Sequence, residues 1–166
     1  MTGGRSGVVR RAARGAGAGT LATGLMSSLM IGAKRAGFVG GMPPEKITAA
    51  MLRRTGIGHS GDQQDVLAAV LHFGFGAAAG AAFGVIAPKR LMVRVPAGVA
   101  YGAAIWGVSY MGWVPALGIM PPAQRDRRDR QAVMLGAHLI YGTALAVMIG
   151  PRGRDVSYDQ EDGAPD

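Results

Sequence analysis

Cysteine is absent from the 166 residues. That excludes a disulfide framework and any zinc or iron–sulfur site built on thiolates. Charge is scarce too: 17% of positions are Asp, Glu, Lys or Arg, against about 25% in an ordinary soluble domain. Aromatic residues make up only 6%. There is no Gly-x-Ser-x-Gly, no phosphate-binding loop and no His-Glu-x-x-His, and no carboxylate pair falls inside an apolar stretch. The expectation is a protein that is not an enzyme.

The gaps between charges decide the class. No Asp, Glu, Lys or Arg occurs in Gly15–Ala33, Val66–Pro88, Val95–Gln124 or Gln131–Pro151. A helix crossing a bilayer needs about 20 predominantly apolar residues, and each run is about that long or longer. A soluble helix carries a polar stripe every three to four residues; these runs carry almost none. The sequence predicts an all-α integral membrane protein with spans at about 15–35, 66–87, 95–118 and 131–150. Residues 1–14 read as a basic tail, and residues 151–166 as a disordered acidic tail.

What is present is order within the apolar runs. Met42-Pro43-Pro44 follows the first span and Met120-Pro121-Pro122 the third. The second and fourth spans share His-x-x-aromatic-Gly, at His72 to Gly76 and His138 to Gly142. From each histidine, small residues continue in steps of four: Gly76, Gly80 and Gly84, then Gly142, Ala146 and Gly150. Such steps keep one helical stripe. The pattern predicts two tandem helical hairpins, a parallel internal repeat whose axis runs along the membrane normal. It also argues that the first span is retained rather than cleaved as a signal.

The chain holds 28 Gly. In lipid, small residues let helices approach closely enough for dispersion to hold them. The two histidine stripes are expected to be packing seams, faced by Thr20, Gly24, Ser28 and Gly32 in the first span and Gly98 and Gly102 in the third. An oligomer seam is the sharper alternative. Trp113 suits an interfacial belt, Trp106 lies mid-span, and Pro115 should kink or end the third helix.

Between the first two spans, Pro44 and Glu45 suit a helix start. Ile47, Ala50, Met51 and Arg54 share a side, so a short interfacial helix is expected near 44–54. Gly56–Asp65, with His59, reads as a solvated loop, and Arg125–Arg130 as a solvated face or helix start. The net charge of +8 sits at the span edges, where the bilayer and its anionic lipids are the expected partners rather than nucleic acid. A homo-oligomer or a partner membrane protein is a further possibility. An even number of spans puts both termini on one side. Lys and Arg divide evenly between the sides, and Arg5, Arg10, Arg11 and Arg14 before the first span favour a cytoplasmic N-terminus.

His72 and His138 are the ionisable side chains well inside the spans, and such residues are functional candidates by default. Four roles fit. Each neutral imidazole could bond a neighbouring helix through Tyr101, Tyr110, Ser27, Ser28 or Thr143. The pair could titrate as a pH sensor or proton relay. The two could ligate a haem iron. They could also hold zinc or copper, although no carboxylate or Cys in the spans completes a shell. Three functions follow: a structural, interaction or pH-responsive membrane protein; a haem- or metal-binding electron-transfer protein; and a small transporter or oligomeric channel.

At Pro43-Pro44, His72 with Phe75-Gly76, Trp106, Pro121-Pro122 and His138 with Tyr141-Gly142, the chain resembles the YagU-like family of small bacterial inner-membrane proteins. The likeness covers roughly residues 15–150. It implies a multi-span inner-membrane protein without an established biochemical activity. It also implies a loose link to acid tolerance, which a titrating histidine pair would fit.

Overall fold

The computed structural model of the chain describes residues 3–38, 43–55, 60–120 and 125–150. Six α-helices are present: α1 (Gly3–Arg35), α2 (Pro43–Thr55), α3 (Gly61–Ile86), α4 (Leu91–Gly107), α5 (Val114–Ala116) and α6 (Arg128–Met148). A π-helical segment, Val108–Trp113, joins α4 to α5. Among the described residues there is no strand. Four helices are long and apolar enough to cross a membrane: Gly4–Arg35, Gly61–Ile86, Leu91–Ala116 and Arg128–Met148. Val66, Val70, Ile86 and Val108 are each more than 60% exposed along them, as befits faces turned to lipid.

Local chemistry sets the helix ends. Ser60 caps α3 in a reciprocal box with Gln63. Gly37, at φ +81, closes α1: Phe38 N–H donates to the Ala33 carbonyl at 3.0 Å. Gly118, at φ +67, closes α5 the same way, Ile119 N–H donating to Val114 at 3.2 Å. Only glycine adopts this left-handed turn without a Cβ penalty. At the other end α1 starts at Gly3, so residues 3–14 are helix rather than a tail. Nothing in Val8–Arg14 breaks a helix, and the Arg11 backbone is packed against Gly84.

The helices alternate in direction, with α1 packed on α3 and α4 on α6. In the first hairpin Gly15, Gly19 and Thr23 face Gly84, Gly80 and Gly76. A Cβ on Gly19 would lie 2.9 Å from the Gly80 Cα, and one on Gly80 would lie 2.7 Å from the Gly19 Cα. Side chains would push these backbones apart. Thr23, 1% exposed, tucks its hydroxyl back onto the Gly19 carbonyl at 2.8 Å. In the second hairpin Gly98 faces Gly142 and Ala146, and Gly102 faces the His138 carbonyl.

Two expectations change here. The close face of α1 is the 15–19–23 stripe, not Thr20, Gly24, Ser28 and Gly32. Thr20 and Ser28 are exposed and bond their own helix, and nothing stands within 4 Å of a Cβ on Gly32. Gly150 is not part of a packing line either. It lies past the end of α6 at φ +72, where it completes the helix exit.

The hairpins meet through α1 against α6 and through two phenols. Tyr101 OH donates to the Ala79 carbonyl at 2.9 Å, and Tyr141 OH to the Gly76 carbonyl at 2.7 Å. The Phe83 and Tyr101 rings touch, with centroids 5.0 Å apart. Phe83, Tyr141, Leu145, Ala18 and Ala22 form one buried cluster; Met30, Tyr110, Val114, Met120 and Met134 belong to a second.

Helix α2 docks on α3. Its buried face is Thr48 and Ala50, with Ile47 packed on the second cluster, while Met51 is 52% exposed. Lys34 and Glu45, 3.2 Å apart, tie its start to the end of α1. Pro121, Pro122, His59, Gly41 and the tail 151–166 lie outside the described residues.

Candidate functional site: an intramembrane cavity with two histidines

The π-helical segment shapes the site. Gly112 leaves helical geometry at φ −103 and ψ −106, three residues before Pro115, whose ring cannot accept the preceding helical path. The wider turn holds Ser109, Tyr110 and Trp113 toward the bundle. Between this segment and α1, α2, α3 and α6 lies a cavity of about 680 Å³.

His72 and His138 both stand on its wall. Thr23, Ser27, Thr48 and Ser109 add hydroxyls, and most of the remaining lining is apolar. Val70, Phe75 and Met51 line the cavity and are each more than half exposed, so it opens sideways toward lipid.

His138 Nδ1 lies 2.8 Å from the Met134 carbonyl one turn back. A carbonyl only accepts, so Nδ1 carries the proton and Nε2 keeps its lone pair. His72 stands edge-on to the neighbouring Phe73 ring, centroids 6.1 Å apart. The expected side-chain partners bond elsewhere: Tyr101 to Ala79, Tyr110 to Asp126, Ser28 to Gly24 and Thr143 to Leu139. Each hydroxyl reaches a nearby acceptor that is already in place.

Trp106 stacks on Tyr110, with centroids 5.5 Å apart and planes 16° from parallel. Its Nε1–H is buried without an acceptor among the described residues. Trp113 is 39% exposed and lines the cavity rather than standing only as a belt residue. Among the described residues no group of three or more His, Asp or Glu is placed to hold a metal.

Sequence reasoning missed Asp126, which it left in a solvated run. Its side chain is 6% exposed; it accepts from Tyr110 OH and pairs with Arg130 at 3.5 Å. The Gln131 side chain also donates to the Asp126 carbonyl at 3.0 Å. The alternating signs of Arg125–Arg130 hid one inward carboxylate. Arg94 was missed as well. It is 3% exposed, and its Nε donates to the Ala146 carbonyl at 2.7 Å.

No curated protein and no solved structure matches this chain. The family described as "Protein of unknown function (DUF1440)" matches residues 43–147. That stretch runs from α2 into α6 and takes in His72, Arg94, Trp106, Asp126 and His138, while α1 lies before it. With four helices fit to cross a membrane and the match spanning more than half its length, the chain belongs to the uncharacterised DUF1440 family.

Proposed function

We propose that this is a non-enzymatic multi-pass membrane protein that holds a mainly apolar, membrane-soluble ligand between its helices. His72 and His138 make its occupancy respond to pH. The observation that supports this reading is the cavity of about 680 Å³ with both imidazoles on its wall. Small-molecule sites run to about 300–1,000 Å³ and combine apolar walls with few polar groups. The lateral mouth at Val70 and Phe75 suits a ligand arriving from the bilayer.

The Nε2 of His138 is the acceptor for a ligand hydroxyl or N–H. A proton there turns acceptor into donor. Affinity for such a ligand therefore falls as pH drops through the imidazole range, near about 6.5 in model peptides. The reading extends to a bacterial inner-membrane location with both termini cytoplasmic, kinship with the YagU-like family, and descent of the two hairpins from one repeat.

One observation favours haem binding as a second reading: an Nδ1–H tied to a carbonyl is the arrangement of a ligating imidazole. A single experiment addresses both. The full chain is purified in mild detergent; its organic extract is analysed by mass spectrometry and its iron, zinc and copper are measured. A near-stoichiometric apolar compound, lost when Ser27→Phe fills the cavity and losing its pH dependence in His72→Gln/His138→Gln, is expected. Stoichiometric iron that vanishes in that double variant would favour haem. Neither compound nor metal would end both readings.

A further inference from the structure

The opposite end of the bundle carries an unanswered positive charge. There the start of α1, the end of α3, the first turn of α4 and the exit of α6 converge. Arg11, Arg14, Gly84, Pro88, Arg94 and Gly150 are among the residues around a small cleft of about 20 Å³. Arg94 is 3% exposed. Its Nε is fixed on the Ala146 carbonyl, but its guanidinium has no ion-pair partner among the described residues. The Nε of Arg11 is buried without an acceptor. No carboxylate lines the cleft. The described acids, Glu45, Asp62, Asp65, Asp126 and Asp129, all belong to α2 or to the starting ends of α3 and α6, at the other end of the bundle.

A buried cation without a counter-charge costs several kcal/mol. The Ala146 carbonyl offsets little of this, since it brings only a partial charge. What fits is an oxyanion with two or three oxygens, because guanidinium forks bind phosphate through paired hydrogen bonds. The cleft admits oxygen atoms rather than a whole ligand: about 10–15 Å³ suffices for one water-sized group. It lies where the spans end, at the depth of lipid phosphates. Basic pockets between helix ends at that depth are suited to headgroups.

We propose that Arg94, Arg11 and Arg14 bind the phosphate of an anionic lipid headgroup. Free phosphate shares the chemistry, so the test separates the two sources. The full chain is stripped of lipid in dodecyl maltoside and titrated with dioleoyl-phosphatidylglycerol, and retained lipid is counted by native mass spectrometry. Dioleoyl-phosphatidylcholine and inorganic phosphate serve as comparisons.

One phosphatidylglycerol held per chain, in clear preference to phosphatidylcholine, is expected. Arg94→Gln should weaken it about tenfold, or about 1.4 kcal/mol. Since Arg94 is buried and its loss could unfold the chain, Arg14→Gln, at an exposed position, provides a second reading with a smaller loss. Lys34→Gln/Arg35→Gln at the far end should change nothing. Displacement of the lipid by inorganic phosphate would uphold the oxyanion site and assign it to a soluble ion. Undiminished lipid binding in a helical Arg11→Gln/Arg14→Gln/Arg94→Gln variant would overturn the proposal. So would lipid binding seen only after Asp155, Asp159, Glu161, Asp162 and Asp166 are neutralised in the full chain, because the chain's own carboxylates would then be the occupant.

Discussion

The two hairpins pack by the same rule and depart from it at one turn. Gly19 lies against Gly76 and Gly80; Gly98 lies against Gly142 and Ala146. In step with His72 and His138, these are matching places. One turn earlier the hairpins differ. The first has Gly15, where a Cβ would lie 2.9 Å from the Gly84 Cα. The second has Arg94, whose Nε reaches the Ala146 carbonyl. One position thus serves backbone contact in one hairpin and a buried cation in the other. The second hairpin also carries the π-helical segment and the buried Asp126 contact. The regular hairpin acts as a scaffold, and irregularity is gathered in its neighbour.

Substitutions can break that comparison. The largest effect is expected at Gly80→Val, which sets a branched side chain where a Cβ already lies 2.3 Å from the Gly15 carbonyl oxygen. Overpacking of this kind costs about 3 kcal/mol, and thermal unfolding in detergent should show it. Gly142→Val, against the Gly98 carbonyl, should cost as much if the second hairpin is equally tight, and less if its irregular partner helix can yield. Asp126→Ala removes the Tyr110 and Arg130 contacts of the second hairpin alone. About 2 kcal/mol of stability should be lost, by the weight of charge-assisted hydrogen bonds.

Tyr141→Phe deletes the bond to Gly76 that links the hairpins. A loss of about 1 kcal/mol is expected, measured beside Tyr101→Phe, which deletes the bond to Ala79. The smallest effect belongs to Gly74→Ala. Nothing stands within 4 Å of a Cβ there, so stability should hold or rise by up to about 0.5 kcal/mol through helix propensity. A large loss at Gly74 would mean that α3 packs on something outside the chain.

Much of this was legible before any coordinates. Charge-free runs mark the four long helices, because a bilayer tolerates few ionisable side chains and demands length. The four-residue steps from His72 placed Gly76, Gly80 and Gly84 on one face, and that face does meet α1. The facing residues of α1 were misread, since its sequence offers several small-residue stripes and only the partner helix selects one. Arg94 reads as the last charge of an edge cluster, and burial in such a cluster has no local signature. Asp126 is hidden by the arginines around it. The cavity arises from where five segments meet, a non-local fact that no window of sequence contains.

The π-helical segment has a rotational consequence. An α-helix advances about 100° per residue, and a π turn takes in roughly one residue more. Val108–Trp113 therefore works as a phase shifter: everything after it is turned by about one residue's step relative to an unbroken helix. Tyr110 within the segment and Val114 just beyond it are both buried, at 3% and 4% exposure. Deleting one residue from the segment would let the helix run on unbroken and swing Val114 and Met120 away from the core. The widened turn is thus a gear that keeps two lengths of one span facing the same interior.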